Sequence, residues 1–377
     1  MAGHITKRGK DTWRIRITFG TDANGKRRSF NATVHGSKKD AEKFLTAKLR
    51  EKDTNAFIEP SAITLDSYLD KWLEESACGR LAASTFEQYS YLLRLHVRPV
   101  LGSRRLSDIR LSDIQSICSD LTTNGLSPRT VRYVHSILSG AFKSAIKWKY
   151  IVVNPCAGVD LPKMDHKEMK AFTPEEARQF MEACSVDRLG LVFKFALVSG
   201  MRPEEYLALK WTDIDLERST ATIQRVLVRK KFNGNGWYFA TPKTQRSRRS
   251  VPIPEEIIGE LRLHRKAQRE LMMKLGGEYE RNDLVFASDF GRPLDLKNIR
   301  TRNFARILKA AGLSPDFRIY DLRHSTATLM LANGENPKVV SERLGHASIV
   351  LTLDTYSHVL PSIQKEATNR LGKVLFG

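Results

Sequence analysis

The chain has 377 residues, with 62 Lys and Arg against 42 Asp and Glu, which gives a formal net charge of +20. Its 41% hydrophobic and 28% charged residues exclude a disordered chain, and no stretch approaches the ~18 consecutive apolar residues of a membrane span. An excess of positive charge this large favours a nucleic-acid partner, although a ribosomal or membrane-surface contact would look similar.

The N-terminus and the cysteines bear on cellular location. The first residues, MAGHITKRGKDTWR, lack the apolar core of a signal peptide. Four widely spaced cysteines form no C-x-x-C pair, which argues against a disulfide framework and a zinc knuckle: Cys78, Cys118, Cys156 and Cys184. We therefore expect an unexported protein in a reducing cytoplasm.

The first sixty residues predict a small βββα-like unit. Apolar and polar residues alternate from Trp13 to Phe19 before a turn at Asp22–Gly25, which is the pattern of a strand and a hairpin. Helical spacing from Lys38 to Lys52 then predicts a helix. The basic sheet face is either a DNA-binding surface or a solvated polar face, and charge alone does not decide; its candidate DNA contacts are Arg14, Arg16, Arg27 and Arg28.

Two linkers divide the rest of the chain. Asp53–Ile63 has no strong period, and Asn154–Lys170 carries two prolines and a charged run. Between them, apolar residues recur every three or four positions over 65–161, which predicts a bundle of about four helices. From Phe172 onward helices dominate again, except in Thr220–Pro254, where we expect three short antiparallel strands.

An arginine in the second half of the chain lies between two predicted helices. Gly200 ends one helix and Pro203 begins the next, which leaves Arg202 in the gap. An arginine there can present its planar five-donor group to a phosphate, while Glu205 holds the guanidinium in place. Taken alone, an ordinary surface Arg–Glu pair is the simpler interpretation.

Further candidates lie beside apolar helical stripes. Tyr320 and Arg323 are neighbours at i, i+3, so Arg323 can be a second clamp on the same phosphate. His346 follows Gly345, the residue that closes a predicted helix, and Tyr356 shares a face with apolar residues. Considered singly, His346 is a local hydrogen-bonding residue and Tyr356 is a core tyrosine.

Together these segments match a known family in order and type. The chain resembles the tyrosine recombinase, or phage integrase, family in G-M-R-P-E-E-Y at Gly200–Tyr206, T-P-K-T at Thr241–Thr244, D-L-R-H at Asp321–His324, L-G-H at Leu344–His346 and L-D-T-Y-S-H-V at Leu353–Val359. The resemblance is to the integrases of mobile elements and implies a multidomain, mainly α fold. Its expected parts are an arm-type DNA-binding domain of sheet plus helix over 1–60, a helical core-binding domain over 64–161, and a mixed α+β catalytic domain over 171–377.

The resemblance also implies a reaction and its residues. The oxygen of Tyr356 would attack phosphorus, giving a 3′-phosphotyrosyl bond and a free 5′-hydroxyl, without ATP, metal or another cofactor. Arg202 and Arg323 would clamp the non-bridging oxygens, His346 would assist the tyrosine's proton or the phosphate, and Lys243 would protonate the departing 5′-oxygen. The neighbouring cations are expected on backbone phosphates: Lys230, Lys231, Arg246, Arg248 and Arg249.

One position departs from the family pattern. Where the family has a histidine three residues before the second arginine, this chain has Tyr320. A tyrosine hydroxyl can donate a hydrogen bond but cannot carry a proton near neutral pH as imidazole does, so we predict that Tyr320 is a phosphate contact. His324 is not expected to replace the missing group, because i+1 neighbours on a helix point away from each other.

The implied function is integration and excision of a phage or mobile element by site-specific strand exchange. The expected partner is double-stranded DNA at attachment sites, held by a homotetramer; whether an excision factor and a DNA-bending host protein take part is left open. A terminal apolar stripe that includes Leu371 and Val374 either packs on its own domain or docks on a neighbouring protomer. The alternatives are a resolvase or invertase, a type IB topoisomerase, and a catalytically silent DNA-binding regulator.

Overall fold

The computed structural model describes residues 3–21, 27–53, 62–164, 169–230, 236–242, 247–356, 368–369 and 371–376. The chain divides into two compact units, Met1–His166 and Lys167–Gly377. Within the described ranges, none of the helices combines the length and the apolar character needed to cross a bilayer. The mainly helical architecture with a small N-terminal sheet confirms the predicted fold class.

The first unit begins with an antiparallel sheet and one helix. Its strands β1 (Gly3–Gly9), β2 (Thr12–Thr21) and β3 (Arg27–His35) pair in chain order, and α1 (Lys38–Asp53) follows. Ile15 and Ile17 alternate with arginines on β2 and are fully buried against α1, as strand periodicity requires. The predicted turn at Asp22–Gly25 lies outside the described residues.

A helical bundle with its own core completes this unit. Its helices are α2 (Leu65–Trp72), extended by a π-helical turn, α3 (Ala83–His96), the short α4 (Arg98–Leu101), α5 (Leu111–Thr123) and α6 (Pro128–Lys147). The Tyr68 hydroxyl donates to the carbonyl of Ala141 across the bundle at 2.6 Å.

The start of the second predicted linker packs on the bundle instead of leaving it. Cys156 is buried, and its carbonyl oxygen lies 3.0 Å from Nε2 of His135 on α6. The Arg132 side chain also donates to the carbonyl of Pro162. Prolines and charge there indicated a connecting segment, whereas these contacts hold it to a helix that the sequence pattern did not associate with it.

The second unit is built around a cluster of helices. In chain order these are α7 (Pro174–Cys184), α8 (Gly190–Ser199), α9 (Pro203–Tyr206), α10 (Glu255–Leu275), α11 (Leu296–Ile299), α12 (Ala305–Ala310), α13 (Ile319–Ala332), α14 (Pro337–Leu344) and α15 (Ile349–Thr355). Helix α13 packs against both α8 and α14, and α14 packs against α15. The candidate residues therefore lie at the ends of helices that contact one another.

The strands after Thr220 are more numerous than predicted. In the part of Thr220–Pro254 that the structure describes there are four short strands instead of three: β5 (Thr220–Thr222), β6 (Val226–Lys230), β7 (Gly236–Ala240) and β8 (Ser250–Pro252). With β4 (Ile214–Asp215), β5 and β8 form one sheet, while β6 and β7 form a separate hairpin. Between β5 and β6, the Arg225 guanidinium donates to the carboxylate of Asp213.

Candidate active site

Arg202 is placed by the junction between α8 and α9. Gly200 ends α8 with a φ of +66°, a left-handed conformation suited to glycine, and Pro203 begins α9, as predicted. The backbone N–H of Arg202 donates to Oε2 of Glu205 at 2.9 Å, and its Nη1 donates to Oε1 at 2.8 Å. The Arg202 side chain keeps 29% of its surface exposed, so it stays accessible to a ligand.

Glu205 is buried between two arginines. Arg249 donates to Oε2 of Glu205 through Nη2 at 3.0 Å and to Oε1 through Nη1 at 3.2 Å, and the carboxylate is only 2% exposed. Burial by itself raises the pKa of Glu205, but the guanidinium groups of Arg249 and Arg202 outweigh it and lower that pKa. The carboxylate is therefore ionised and fixes both arginines.

Arg249, which the sequence analysis expected on a backbone phosphate, turns inward. Its side chain is 8% exposed and also donates through Nε to the carbonyl of Arg343 at 2.5 Å. A run of basic residues does not reveal which member turns inward to meet a buried carboxylate. Arg249 thus supports Glu205 and, through it, Arg202, while its contact with a backbone phosphate stays a prediction.

Arg323 is held by the ends of two helices. It is 3% exposed; its Nη1 donates to the carbonyl of Gly200 at 2.8 Å, and its Nη2 donates to that of Leu344 at 2.6 Å. These carbonyls end α8 and α14, where the helix dipole is negative. Burial and the charge of Arg202 lower the pKa of Arg323 to about 10, which leaves it protonated at neutral pH.

His346 follows the left-handed Gly345 that closes α14, as predicted. Its Nδ1 lies 2.7 Å from Oγ1 of Thr352 on α15. Burial, together with the positive charges of Arg323 and Arg202, lowers the pKa of His346 to about 4. The ring is consequently neutral at physiological pH, with one nitrogen already engaged.

Tyr356 ends α15 inside the second unit and is 1% exposed. Its hydroxyl oxygen lies 2.9 Å from Nδ1 of His324. Burial raises the pKa of Tyr356 to about 12, although the nearby charge of Arg323 opposes that rise. The phenol therefore sits within the electrostatic reach of the buried arginine.

His324 contacts Tyr356, a contact that the sequence analysis did not predict. It does point away from Arg323, as helix geometry requires, but this direction faces Tyr356. The sequence analysis considered only the geometry of α13 when it expected that His324 would not replace the missing histidine. The packing of α15 against this part of the unit could not be predicted from α13 alone. The D-L-R-H motif at Asp321–His324 was the available signal.

Tyr320 lies at the more open edge of the site. It is 39% exposed, its ring centroid is 5.8 Å from that of His324, and it contributes to raising the pKa of Arg202. Tyr320, His324 and Tyr356 thus form a row of rings, since the centroids of the last two are 6.0 Å apart.

Other predicted contacts fall outside this cluster or outside the description. Arg14 and Arg16 are exposed on β2, and Arg248 is exposed beside Arg249. Lys231, Lys243 and Arg246 lie outside the described residues. For Arg27, Arg28 and Lys230 the structure describes the backbone but not the side chain. Among the described residues, no group of three or more His, Cys, Asp or Glu is arranged to hold a metal ion.

The arrangement suits chemistry on a phosphate. Two guanidinium groups, Arg202 and Arg323, approach the same region and can neutralise a phosphoryl group and the charge that builds during attack. A phenol and two neutral imidazoles lie within their electrostatic reach. This set provides a nucleophile, proton acceptors and anion binding within one site.

Comparison with known families covers most of the chain. Residues 170–362 match the model described as the phage integrase family, and residues 64–122 match that of the phage integrase N-terminal SAM-like domain. A tyrosine recombinase XerC-like protein of Caldanaerobacter subterraneus subsp. tengcongensis is 32% identical, with 98% of this chain and 97% of that protein covered. The ICEBs1 integrase of Bacillus subtilis is 27% identical over 98% of this chain and 100% of its own.

Solved structures share the fold. The Tn1549 transposon integrase in complex with transposon right end DNA matches with a TM-score of 0.69 and 23% identity, covering 82% of this chain and 100% of that one. A lambda integrase tetramer bound to a Holliday junction matches with a TM-score of 0.53 and 20% identity, covering 91% of this chain and 95% of that one.

Proposed function

Because this chain belongs to the phage integrase family of tyrosine recombinases, we propose that Tyr356 is the residue through which it cuts and rejoins DNA. The chain is a site-specific recombinase of the integrase type, and its family breaks and rejoins DNA strands. The observation that carries the assignment is the placement of the Tyr356 phenol beside Arg323, with Arg202 and His346 around the same point.

The proposed step is an in-line displacement at phosphorus. The Tyr356 oxygen forms a bond to phosphorus while the bond to the 5′-oxygen breaks, which leaves a 3′-phosphotyrosyl linkage and a 5′-hydroxyl. A 5′-hydroxyl from a second strand then attacks the linkage and releases the tyrosine. The phosphoester energy is conserved throughout, so the reaction needs no ATP.

The two arginines stabilise the transition state. Arg202 and Arg323 bind the non-bridging oxygens, where negative charge increases as the fifth bond forms. Glu205, itself bound by Arg249, holds Arg202 in place, and the carbonyls of two helix ends hold Arg323. The donors are thus fixed before the DNA arrives, which avoids reorganisation during the reaction.

Lys243 is proposed as the acid that protonates the departing 5′-oxygen. This assignment comes from the T-P-K-T match at Thr241–Thr244, since Lys243 lies outside the described residues. The location of the neighbouring strands supports it. Strand β6 contacts α9, which begins directly after Arg202, and its partner β7 ends at Ala240, three residues before Lys243.

The proposed partner is double-stranded DNA, bound by several copies of the chain. A net charge of +20 supports a polyanionic partner. Related integrases are known in complex with transposon DNA and, for lambda integrase, as a tetramer on a Holliday junction. We extend this to integration and excision of a mobile element by a homotetramer, whether or not an excision factor or a DNA-bending host protein assists.

A suicide-substrate assay tests the function. Nicked duplexes that carry candidate attachment sites should trap a covalent protein–DNA adduct in the presence of EDTA, and Tyr356→Phe should form none. Peptide mapping should locate the nucleotide on Tyr356. An adduct on another side chain, or activity that disappears with the chelator, would overturn the assignment.

Relaxation, binding and recombination assays beside it separate the alternatives. A type IB topoisomerase would relax any supercoiled plasmid without sequence preference, and a silent regulator would bind sites without forming an adduct. A resolvase or invertase would recombine two copies of one site in preference to two unlike attachment sites.

A further inference from the structure

The nucleophile candidate has one neighbour that the family motifs do not assign a role. Nδ1 of His324 lies 2.9 Å from the hydroxyl oxygen of Tyr356, within hydrogen-bonding distance. The other imidazole, His346, engages Oγ1 of Thr352 through its own Nδ1 at 2.7 Å. The phenol thus has a direct contact with the histidine that follows Arg323, and the L-G-H histidine contacts Thr352 through one of its two nitrogens.

The phenol needs a proton acceptor. With the pKa of Tyr356 near 12, only about one molecule in 10⁵ carries the phenolate at pH 7. A neutral imidazole at hydrogen-bonding distance can take the proton as the oxygen attacks, and such a base typically contributes about 10²–10⁴-fold in rate. Tyr320, which occupies the family's usual histidine position, cannot do this near neutral pH.

The surroundings of His324 suit a base. Burial lowers the pKa of His324, so the ring is neutral at physiological pH and its Nδ1 can accept. Positive charges oppose its protonation, while one carboxylate favours it and would stabilise the imidazolium once formed. The titratable groups that act on or contact the ring are Asp321, Arg323, Arg318, Tyr320, His346 and Tyr356.

We propose that His324 is the general base of this enzyme, accepting the Tyr356 proton at Nδ1 during strand cleavage. The proposal rests on the assignment of Tyr356 as the nucleophile. In cleavage, the phenolic O–H bond breaks as the O–P bond forms, the proton moves to Nδ1, and the 5′-oxygen leaves with a proton from the acid. In rejoining, the imidazolium returns its proton to the departing phenolate. His346 is then left to bind the phosphate.

The variant His324→Asn tests this inference because asparagine can hold a hydrogen bond to the phenol but cannot take its proton. We expect single-turnover cleavage of the suicide substrate to fall about 10²-fold or more, with unchanged DNA affinity. His264→Asn is the matched control, since His264 is also a part-buried imidazole with a hydrogen bond, to the carbonyl of Val285 at 2.8 Å. It should cleave at the wild-type rate.

Two further readouts separate a base from a structural residue. The wild-type cleavage rate should rise with pH through a pKa below 6.5 and then level off, whereas His324→Asn should keep rising above pH 9, where free phenolate forms. A substrate with sulfur in place of the bridging 5′-oxygen needs no acid, so it should rescue Lys243→Ala but leave His324→Asn slow.

The outcomes are distinguishable from failure of the proposed function. If Tyr356→Phe still forms the adduct, the nucleophile assignment itself is wrong. If Tyr356→Phe is inactive but His324→Asn keeps the wild-type rate and pH profile, only the base assignment is wrong. Rescue of His324→Asn by the sulfur substrate would also overturn it, because the histidine would then act on the leaving group.

Discussion

Individual side chains in this site combine a proposed catalytic role with a structural one, and Arg323 is the main example. Its position was predictable from the D-L-R-H motif, and so were Arg202, His346 and Tyr356 from theirs. What these residues touch was not predictable, because the partners are carbonyls and rings brought in from distant helices. The burial of Arg249 against Glu205 and the contact of His324 with Tyr356 depend on packing between elements, which a motif along one segment does not encode.

Arg323→Ala and Arg202→Ala should differ in stability while sharing a catalytic defect. Each should lower single-turnover cleavage by about 10²–10³-fold, because each removes a transition-state donor. Arg323→Ala also leaves the carbonyls of Gly200 and Leu344 without their donor, at a cost of about 1–3 kcal/mol for each buried group. Urea denaturation should therefore show a larger loss for Arg323→Ala; equal losses would contradict the structural role of this side chain.

Acid should destabilise the second unit through its buried histidines. The pKa of His346 falls from an ordinary 6.5 to about 4 in the folded chain, so below pH 6.5 the unfolded state binds more protons than the folded state. This part of the stability is complete above pH 6.5 and is lost as pH falls toward 4. His346→Asn should flatten the decline in the free energy of unfolding between pH 6.5 and 4.5, measured by urea denaturation. The pKa of His324 shifts in the same direction, so some pH dependence should persist.

At the scale of elements, helix ends were predicted well and sheet pairing was not. Gly200, Pro203 and Gly345 lie at the helix boundaries that their backbone preferences indicated. The described strands of Thr220–Pro254 belong to two sheets, and between them Arg225 binds Asp213, a contact between side chains that strand periodicity cannot reveal. The backbone preferences of single residues determine where a helix ends, whereas strand pairing depends on packing against other elements of the unit.

Gly200→Ala should disturb the junction that presents Arg202. An added Cβ would lie 3.0 Å from Cδ2 of Leu344 and 3.2 Å from Cγ2 of Thr326, at a φ of +66°. Gly312→Ala is the matched control, because its φ of +69° is similar but the space around it is open. Both variants should lose roughly 1–2 kcal/mol from the left-handed backbone, and only Gly200→Ala should lose more and cleave more slowly. Equal stability and equal cleavage would show that the contacts relax without consequence.

For the whole molecule, composition alone pointed to a polyanionic partner, but the order of motifs identified the family. The chain forms two compact units, and each contains its own hydrophobic core. No sequence pattern within one chain predicts how several copies assemble, but exposed apolar side chains in the terminal helical residues 371–376 are candidates for such a contact. Leu371, Val374 and Leu375 are 57%, 81% and 63% exposed, while Ile363 and Ala367 of the predicted stripe lie outside the described residues.

Leu375→Asp should weaken assembly of two DNA sites more than binding of one site. An exposed apolar side chain that docks on a neighbouring copy loses that contact when charged, and we expect on the order of a tenfold loss of paired complexes. Leu263→Asp, which alters a leucine that is 71% exposed on α10, is the control. Gel-shift assays with one and two labelled sites measure both steps. Equal effects of the two variants would favour packing of the terminal stripe on its own unit.

The enclosure of Tyr356 has a consequence for the host of such an element. With 1% of its surface exposed in the DNA-free chain, the phenol is shielded from reagents and from casual encounters with DNA. Under the proposed function, burial of the nucleophile would limit cleavage of chromosomal DNA that lacks the target site. Nitration of this ring, compared with nitration of the exposed Tyr320, would therefore report when Tyr356 becomes accessible.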